Sequence, residues 1–185
     1  MGDTNRLKVG EQAPGFEIET LDGTNASLSE MRGQPVWLAF FRYAACPLCN
    51  FRVHQLLSVW TQHFAGRKFA MLGIFQSPSR KLEGLLKRHD PPFKIVSDPA
   101  LELYAAYNLE ASMRGALGKD VRQSMVGAAK AGIPLVRPWD GPAHRVPADF
   151  LIDAHGMIQN AFYGENIAQH IPFEEVVEFL DAQGV

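Results

Sequence analysis

Cys46 and Cys49 are the two cysteines of this 185-residue chain, and they stand two residues apart in "FFRYAACPLCNFRVHQL", residues 40 to 56. Two thiols at that spacing can hold a metal, exchange electrons as a dithiol and disulfide pair, or fill a packing corner. The flanking residues bear on the choice. "PVWLAFFRY", residues 35 to 43, is a continuous apolar run with aromatic and β-branched residues, the pattern of a strand buried on both faces. From Pro47 to about Phe64, the residues Phe51, Val53, Leu56, Leu57, Val59 and Trp60 approximate helical spacing, and Gly66 supplies a stop. The predicted order is strand, tight turn, helix.

That order places Cys46 at a helix N-terminus and Cys49 about one turn further in, with both sulfurs able to face each other. Unpaired amides and the positive end of the helix dipole stabilise a thiolate there, below the free thiol value of about 8.5. Cys46 gains most and is expected to be the more exposed of the two. The reading is therefore Cys46 as attacking thiolate, Cys49 as resolving thiol, and an internal disulfide as the oxidised state. Arg42, four positions upstream, adds positive charge, and Pro47 removes an amide that would go unpaired.

Other roles for the thiols are weighed on the same residues. Zinc could recruit His54 or His63, but finger spacing asks for a second His shortly after the first, and none occurs at 67 to 69. An iron-sulfur site needs more thiolates than two. Two buried structural thiols remain the plain alternative. His54 and His63 read as helix-surface or half-buried residues, His144 and His155 as loop residues, and Asp153 before "AHG" as a turn former. "GALGKD" lacks the spacing and context of a phosphate loop. No metal and no cofactor is expected.

The remaining elements must carry this site. A second buried strand is predicted at 68 to 76, then a helix with Ser77 as N-cap and Pro78 at its first position. A short extended "FKIVSD" follows, then a helix from Pro99 to about Asn108, two strands around a turn at Ala154 to Gly156, and a last helix from Phe173 to Asp181. The sum is an α/β sandwich with a mixed sheet, of a length expected to form one domain over 1 to 185. Residues 111 to 146 break the rhythm, with six Lys or Arg against two Asp, a surplus of about +4 in a chain whose net charge is -2. Met113, Leu117, Val121 and Met125 lie four apart there, one stripe of a helix. A helical insertion packed on the core is the first reading of that segment, and a lid or a partner-docking surface the second.

The overall charge gives no reason to expect a nucleic acid or an anionic membrane as partner. No apolar run reaches transmembrane or signal-peptide length, so a cytoplasmic location is expected.

"VGEQAPGFEIETLDGTNASLSEMRGQPVWLAFFRYAACPLC" and the later "ADFLIDAHGMI" resemble the AhpC/TSA (redoxin) families over roughly residues 7 to 181. The resemblance implies a thioredoxin-like fold, a central mixed β-sheet flanked by helices with the insertion at about 111 to 146. It further implies a hydroperoxide or protein disulfide as substrate, a thioredoxin-like or glutathione reductant, and a homodimer. This chain departs from the family pattern at informative points. Typical members carry Pro-x-x-x-Thr or Ser-x-x-Cys, which puts Tyr43 at the hydroxyl position and Ala39 at the proline position. The family's Arg before "FLID" falls on Pro147, with Arg145 close by. Val146-Pro147 is instead similar to the cis-proline segment that packs on Cys-x-x-Cys in thioredoxins, where the backbone pairs with a substrate peptide. Arg42 and Tyr43 thus join Cys46 and Cys49 as candidate catalytic residues, and Pro47, Arg145, Val146 and Pro147 as candidate substrate-binding residues. Two chemistries share these residues, peroxide reduction and disulfide exchange. A redox-sensing protein that engages a partner through 111 to 146 is the reading from another class.

Overall fold

The computed structural model describes residues 5–109, 119–134 and 145–185. Its centre is β3 (Val36–Phe40), in which all five side chains are buried. On one side β3 pairs in parallel with β4 (Ala70–Phe75), from Val36 opposite Ala70 to Phe40 opposite Ile74. On the other it pairs antiparallel with β6 (Ala148–Ile152), from Val36 opposite Ile152 to Phe40 opposite Ala148. β5 (Lys94–Ser97) and β7 (Ile158–Tyr163) complete a five-stranded mixed sheet in the order β5-β4-β3-β6-β7. A separate hairpin pairs β1 (Glu17–Glu19) with β2 (Asn25–Ser27). Its turn is built by Asp22, whose Oδ1 accepts from the Thr24 amide at 3.0 Å, and by Gly23 at φ 80°.

Because side chains alternate along a strand, β3 feeds two cores. Trp37 and Ala39, with Phe41 just past the strand end, face α1 (Pro47–His63), α2 (Ser79–His89) and α5 (Phe173–Ala182), packing with Val53, Leu56, Leu82, Leu85, Val176 and Leu180. Val36, Leu38 and Phe40 face α3 (Glu102–Ala106) and the β2 region, packing with Ala26, Leu28, Leu103, Tyr104, Tyr107 and Phe150. Both faces of the sheet are therefore covered, which explains why the central strand reads as one apolar run.

Two expected boundaries differ. The predicted helix from Pro99 to Asn108 is only Glu102–Ala106, because it begins where the Asp98 carboxylate can accept the amides of Glu102, Leu103 and Tyr104. α2 starts at Ser79 with Pro78 as its N-cap, and Ser77 makes no cap. The Ser77 hydroxyl is turned inward and accepts the Ala44 amide at 2.7 Å, so the loop before Cys46 takes the oxygen that the helix was expected to use.

Within the basic segment, α4 (Lys119–Lys130) packs on α1. Val121 and Met125 are partly buried against the core, as the stripe predicts, and Ala128, outside the stripe, is fully buried; Met113 and Leu117 lie outside the described residues. Gly127 sits on the Phe51 ring, where a Cβ would come within 2.3 Å of a ring carbon. Among the described residues no helix is long and apolar enough to cross a membrane.

Candidate active site

The turn between β3 and α1 assembles the site. Phe41 still bonds to β4 through its amide, and the Arg42 carbonyl accepts the Gln76 amide, so both residues hold sheet positions just beyond the strand. Cys46 is the N-cap of α1, with extended backbone angles of -71° and 118°, and Pro47 stands in the first turn as the sequence predicts. The Cys46 sulfur takes the role usually played by a capping oxygen and accepts the Cys49 amide at 3.4 Å. Arg42 Nη1 donates to the same sulfur at 3.4 Å, while the Arg42 backbone N–H donates to Cys49 Sγ at 3.3 Å. One residue thus holds both thiols, one through its side chain and one through its backbone.

The two sulfurs differ in charge preference. Burial works to raise the Cys46 thiol, but the hydrogen bond from Cys49, the Arg42 guanidinium and the Cys49 and Leu48 amides outweigh it, bringing it down from 9.0 to about 7. Burial and the neighbouring Cys46 push the Cys49 thiol well up, against a smaller opposing effect of Arg42. These effects favour ionisation of Cys46 over Cys49. One expectation fails: Cys46 is not the exposed member of the pair. It is 0% exposed against 2% for Cys49, and Arg42, Tyr43 and Leu48 beside it in the chain are buried too.

The other predicted residues divide. Tyr43 is buried, and its ring lies 5.1 Å from the Arg42 guanidinium carbon, a contact that braces the arginine. Val146 and Pro147 are buried at the start of β6. Since Phe40 pairs with Ala148, Pro147 stands at the same sheet end as Phe41 and Arg42. Its carbonyl accepts the Gly164 amide. Arg145 is one layer removed: its Nη1 donates to the Leu109 carbonyl at 2.9 Å and its guanidinium covers the Tyr104 ring at 5.3 Å. Tyr104 in turn donates to the Phe41 carbonyl at 2.6 Å, the peptide that leads into Arg42. His54 is exposed and His63 half-buried, and among the described residues no group of three or more His, Cys, Asp or Glu could hold a metal ion. Asp153 builds the expected turn, accepting the His155 and Met157 amides.

Sequence reasoning passed over four contributors. Asn50 and Ser77 tie the loop before Cys46 from below, and Tyr104 holds the Phe41 carbonyl. Asp149 is the fourth. It is completely buried in β6 and accepts Trp37 Nε1 at 3.0 Å, the Ile171 amide at 3.0 Å and His170 Nδ1 at 2.8 Å. Burial would raise its carboxyl, and His170, Arg52 and the Ile171 amide together hold it below 3.8. Arg52, one turn after Cys49, donates to the Ile171 carbonyl and covers the Phe173 ring at 3.7 Å. A carboxylate inside the apolar stretch "ADFLI" was the available signal, because a buried charge needs a partner.

Comparison with known proteins places the fold and the family. Residues 9–161 match the model of the AhpC/TSA family. Peroxiredoxin Bcp of Escherichia coli strain K12 is 26% identical over 166 residues, covering 90% of this chain and 92% of that protein. The crystal structure of peroxidoxin BcpB from Mycobacterium tuberculosis superposes with a TM-score of 0.68 at 18% identity, covering 96% of this chain and 98% of the other. The thioredoxin domain of a thiol-disulfide oxidoreductase from Bacteroides vulgatus gives 0.55 at 18% identity, covering 94% and 99%. The fold is that of thioredoxin, and with a Cys-x-x-Cys pair capping the helix after the central strand, this chain belongs to the AhpC/TSA family.

Proposed function

We propose that this protein is a thiol peroxidase in which Cys46 attacks a hydroperoxide and Cys49 resolves the product within the same chain. The observation that supports it best is the double hold of Arg42, with its guanidinium on Cys46 and its amide on Cys49. A thiolate with a pKa of about 7 is about half ionised at neutral pH and keeps most of its nucleophilicity. Cys46 Sγ bonds to one peroxide oxygen as the O–O bond breaks, and the leaving alkoxide or hydroxide takes a proton to give an alcohol or water. The Arg42 guanidinium is placed to offset the charge that develops on the oxygens, the task that the family pattern gives to a hydroxyl and an arginine elsewhere. Cys49 then gives up its proton and attacks the sulfenic sulfur, expelling water and leaving a Cys46–Cys49 disulfide. A thioredoxin-like protein or glutathione restores the dithiol.

Disulfide exchange with a protein substrate is the second reading. It is favoured by Pro147 at the sheet end beside Phe41 and by Tyr43 in place of the family's hydroxyl residue. Stopped-flow consumption of hydrogen peroxide and of an organic hydroperoxide by the reduced protein separates the two, with mass determination of the peptide that carries both cysteines. Fast consumption ending in the internal disulfide supports the peroxidase. Slow consumption by a protein that still exchanges disulfides with an oxidised peptide overturns it in favour of exchange.

A further inference from the structure

Asn50 lies inside the first turn of α1, 2% exposed, and every hydrogen-bonding valence of its amide is used. Nδ2 donates to the Ala44 carbonyl at 2.7 Å and to the Cys46 carbonyl at 2.9 Å. The Cys46 carbonyl also accepts the Asn50 backbone amide at 3.0 Å, so two donors from one residue pin it. At the other end Oδ1 meets Arg88 Nη1 at 3.2 Å and His89 Nε2 at 3.2 Å, both from the last turn of α2. Only one orientation of the amide satisfies these four partners. Reversed, it would aim its oxygen at two carbonyls and its NH2 at two donors.

His89 fits the role as a neutral ring. Burial, Arg88 and His54 push its pKa down to about 4, so at neutral pH it donates only with its proton on Nε2. Arg88 adds the charge that His89 does not carry. The segment from Ala44 to Cys46 is held at both ends, by Ser77 at the Ala44 amide and by Asn50 at the two carbonyls. Those peptide planes decide where the Cys46 sulfur points, and hence whether it meets the Cys49 amide and Arg42 Nη1.

We propose that Asn50, oriented by Arg88 and His89, is a positioning residue for Cys46, and that the C-terminal turn of α2 sets the reactivity of the attacking thiol through it. The inference rests on Cys46 being that thiol and is independent of which oxidant it meets. Its test therefore reads the thiolate itself, by ultraviolet absorbance against pH and by the rate of alkylation with iodoacetamide, in a Cys49→Ser background where one sulfur reports. Asn50→Ala should move the ionisation midpoint up by about one pH unit and slow alkylation about tenfold below neutrality. Arg88→Ala with His89→Ala should reproduce much of that shift from the far side, and His89→Gln, which keeps an N–H donor, should restore part of it. In a double-mutant cycle the α2 changes should add nothing once Asn50 is gone. A midpoint unmoved in the folded Asn50→Ala protein, or fully additive shifts, would overturn the proposal. If Asn50→Ala does not fold, the α2 variants decide alone: an unmoved midpoint in them overturns it and a raised one supports it. Absence of peroxide turnover in the wild-type protein, with these shifts intact in the variants, would count against the peroxidase reading alone.

Discussion

The two faces of the sheet share one central strand and are built on opposite terms. The face under α3 is an aromatic herringbone in which Phe40 meets Tyr104 edge-on at 5.2 Å, Phe150 at 5.8 Å and Tyr107 at 5.3 Å, and Phe150 meets Tyr163 at 5.3 Å. The face under α1 buries a carboxylate, a guanidinium and two thiols among its hydrophobic side chains. Asp149, Arg42 Nη1 and both sulfurs are each held by the partners named above, because an unpartnered buried polar group costs a few kcal/mol. The aromatic face supplies mainly stability, with Tyr104 its link to the site through the Phe41 carbonyl, whereas the polar face sets the charge state of Cys46, so substitutions away from Tyr104 should separate cleanly.

The largest effect belongs to the thiols. Cys46→Ser should abolish turnover with any oxidant, while Cys49→Ser should allow one attack and then stall as a sulfenic acid or mixed disulfide, detectable by mass; equal residual turnover in both would contradict the assigned roles. On the aromatic face, Phe150→Ala should cost about 3–5 kcal/mol in chemical denaturation through the cavity it leaves. The Cys46 ionisation midpoint should stay near 7 in that variant. Movement of the midpoint would show that the two faces are coupled after all.

Asp149 tests the polar face as a matter of stability. Its carboxyl is held below the ordinary 3.8, so the stability it contributes is present above that unfolded value and is lost as pH falls through the lower folded one. Asp149→Asn should lower stability at neutral pH and flatten the acid limb of the stability profile. An acid limb of unchanged steepness would place the proton uptake elsewhere. The effect at Arg42 falls on rate rather than on stability. Arg42→Gln should raise the Cys46 midpoint by about one pH unit and reduce the attack rate at pH 6 roughly tenfold. Rates that rise through pH 7 in the wild type and through about 8 in the variant would carry the signature.

The polar face also shows where sequence reasoning stops. The strand-turn-helix around the cysteines is legible because each local cue agrees: an apolar run, Pro47 in the first turn, Gly66 past the helix. The sequence ranked the two thiols on helix position and on exposure; the helix amides contribute to the low Cys46 thiol beside Cys49 and Arg42, and the exposure argument fails. The burial of Cys46 is not legible, because it depends on core packing that exists only when the chain is folded. The roles of Asn50 and Ser77 were unreadable for a similar reason, and Asp149 signalled only that it needed a partner, not which one. Their partners are far along the chain, at Arg88 and His89, at Ala44 and at His170, and nothing in local propensity announces a side chain that turns inward. Ser77 is the instructive case, since a serine before a helix has a cap as its default and here a distant amide outbids it.

The central strand has one neighbour near in the chain and one remote. β3 and β4 are joined through α1, a single βαβ unit, but Phe40 meets Ala148 only after more than a hundred intervening residues have been looped out. Closing a short loop loses less entropy than closing a long one, so the βαβ unit is favoured to form first and β6 to dock last. On that order Arg42 and both thiols are brought together before Asp149 and Pro147 join the sheet. A folding chain then passes through a stage with a formed Cys-x-x-Cys turn and an open sheet edge beside it, in which an oxidant could join the sulfurs early. Refolding under oxidising and reducing conditions, followed by pulsed hydrogen exchange, should show amides of β3 and β4 protected ahead of β6 in both.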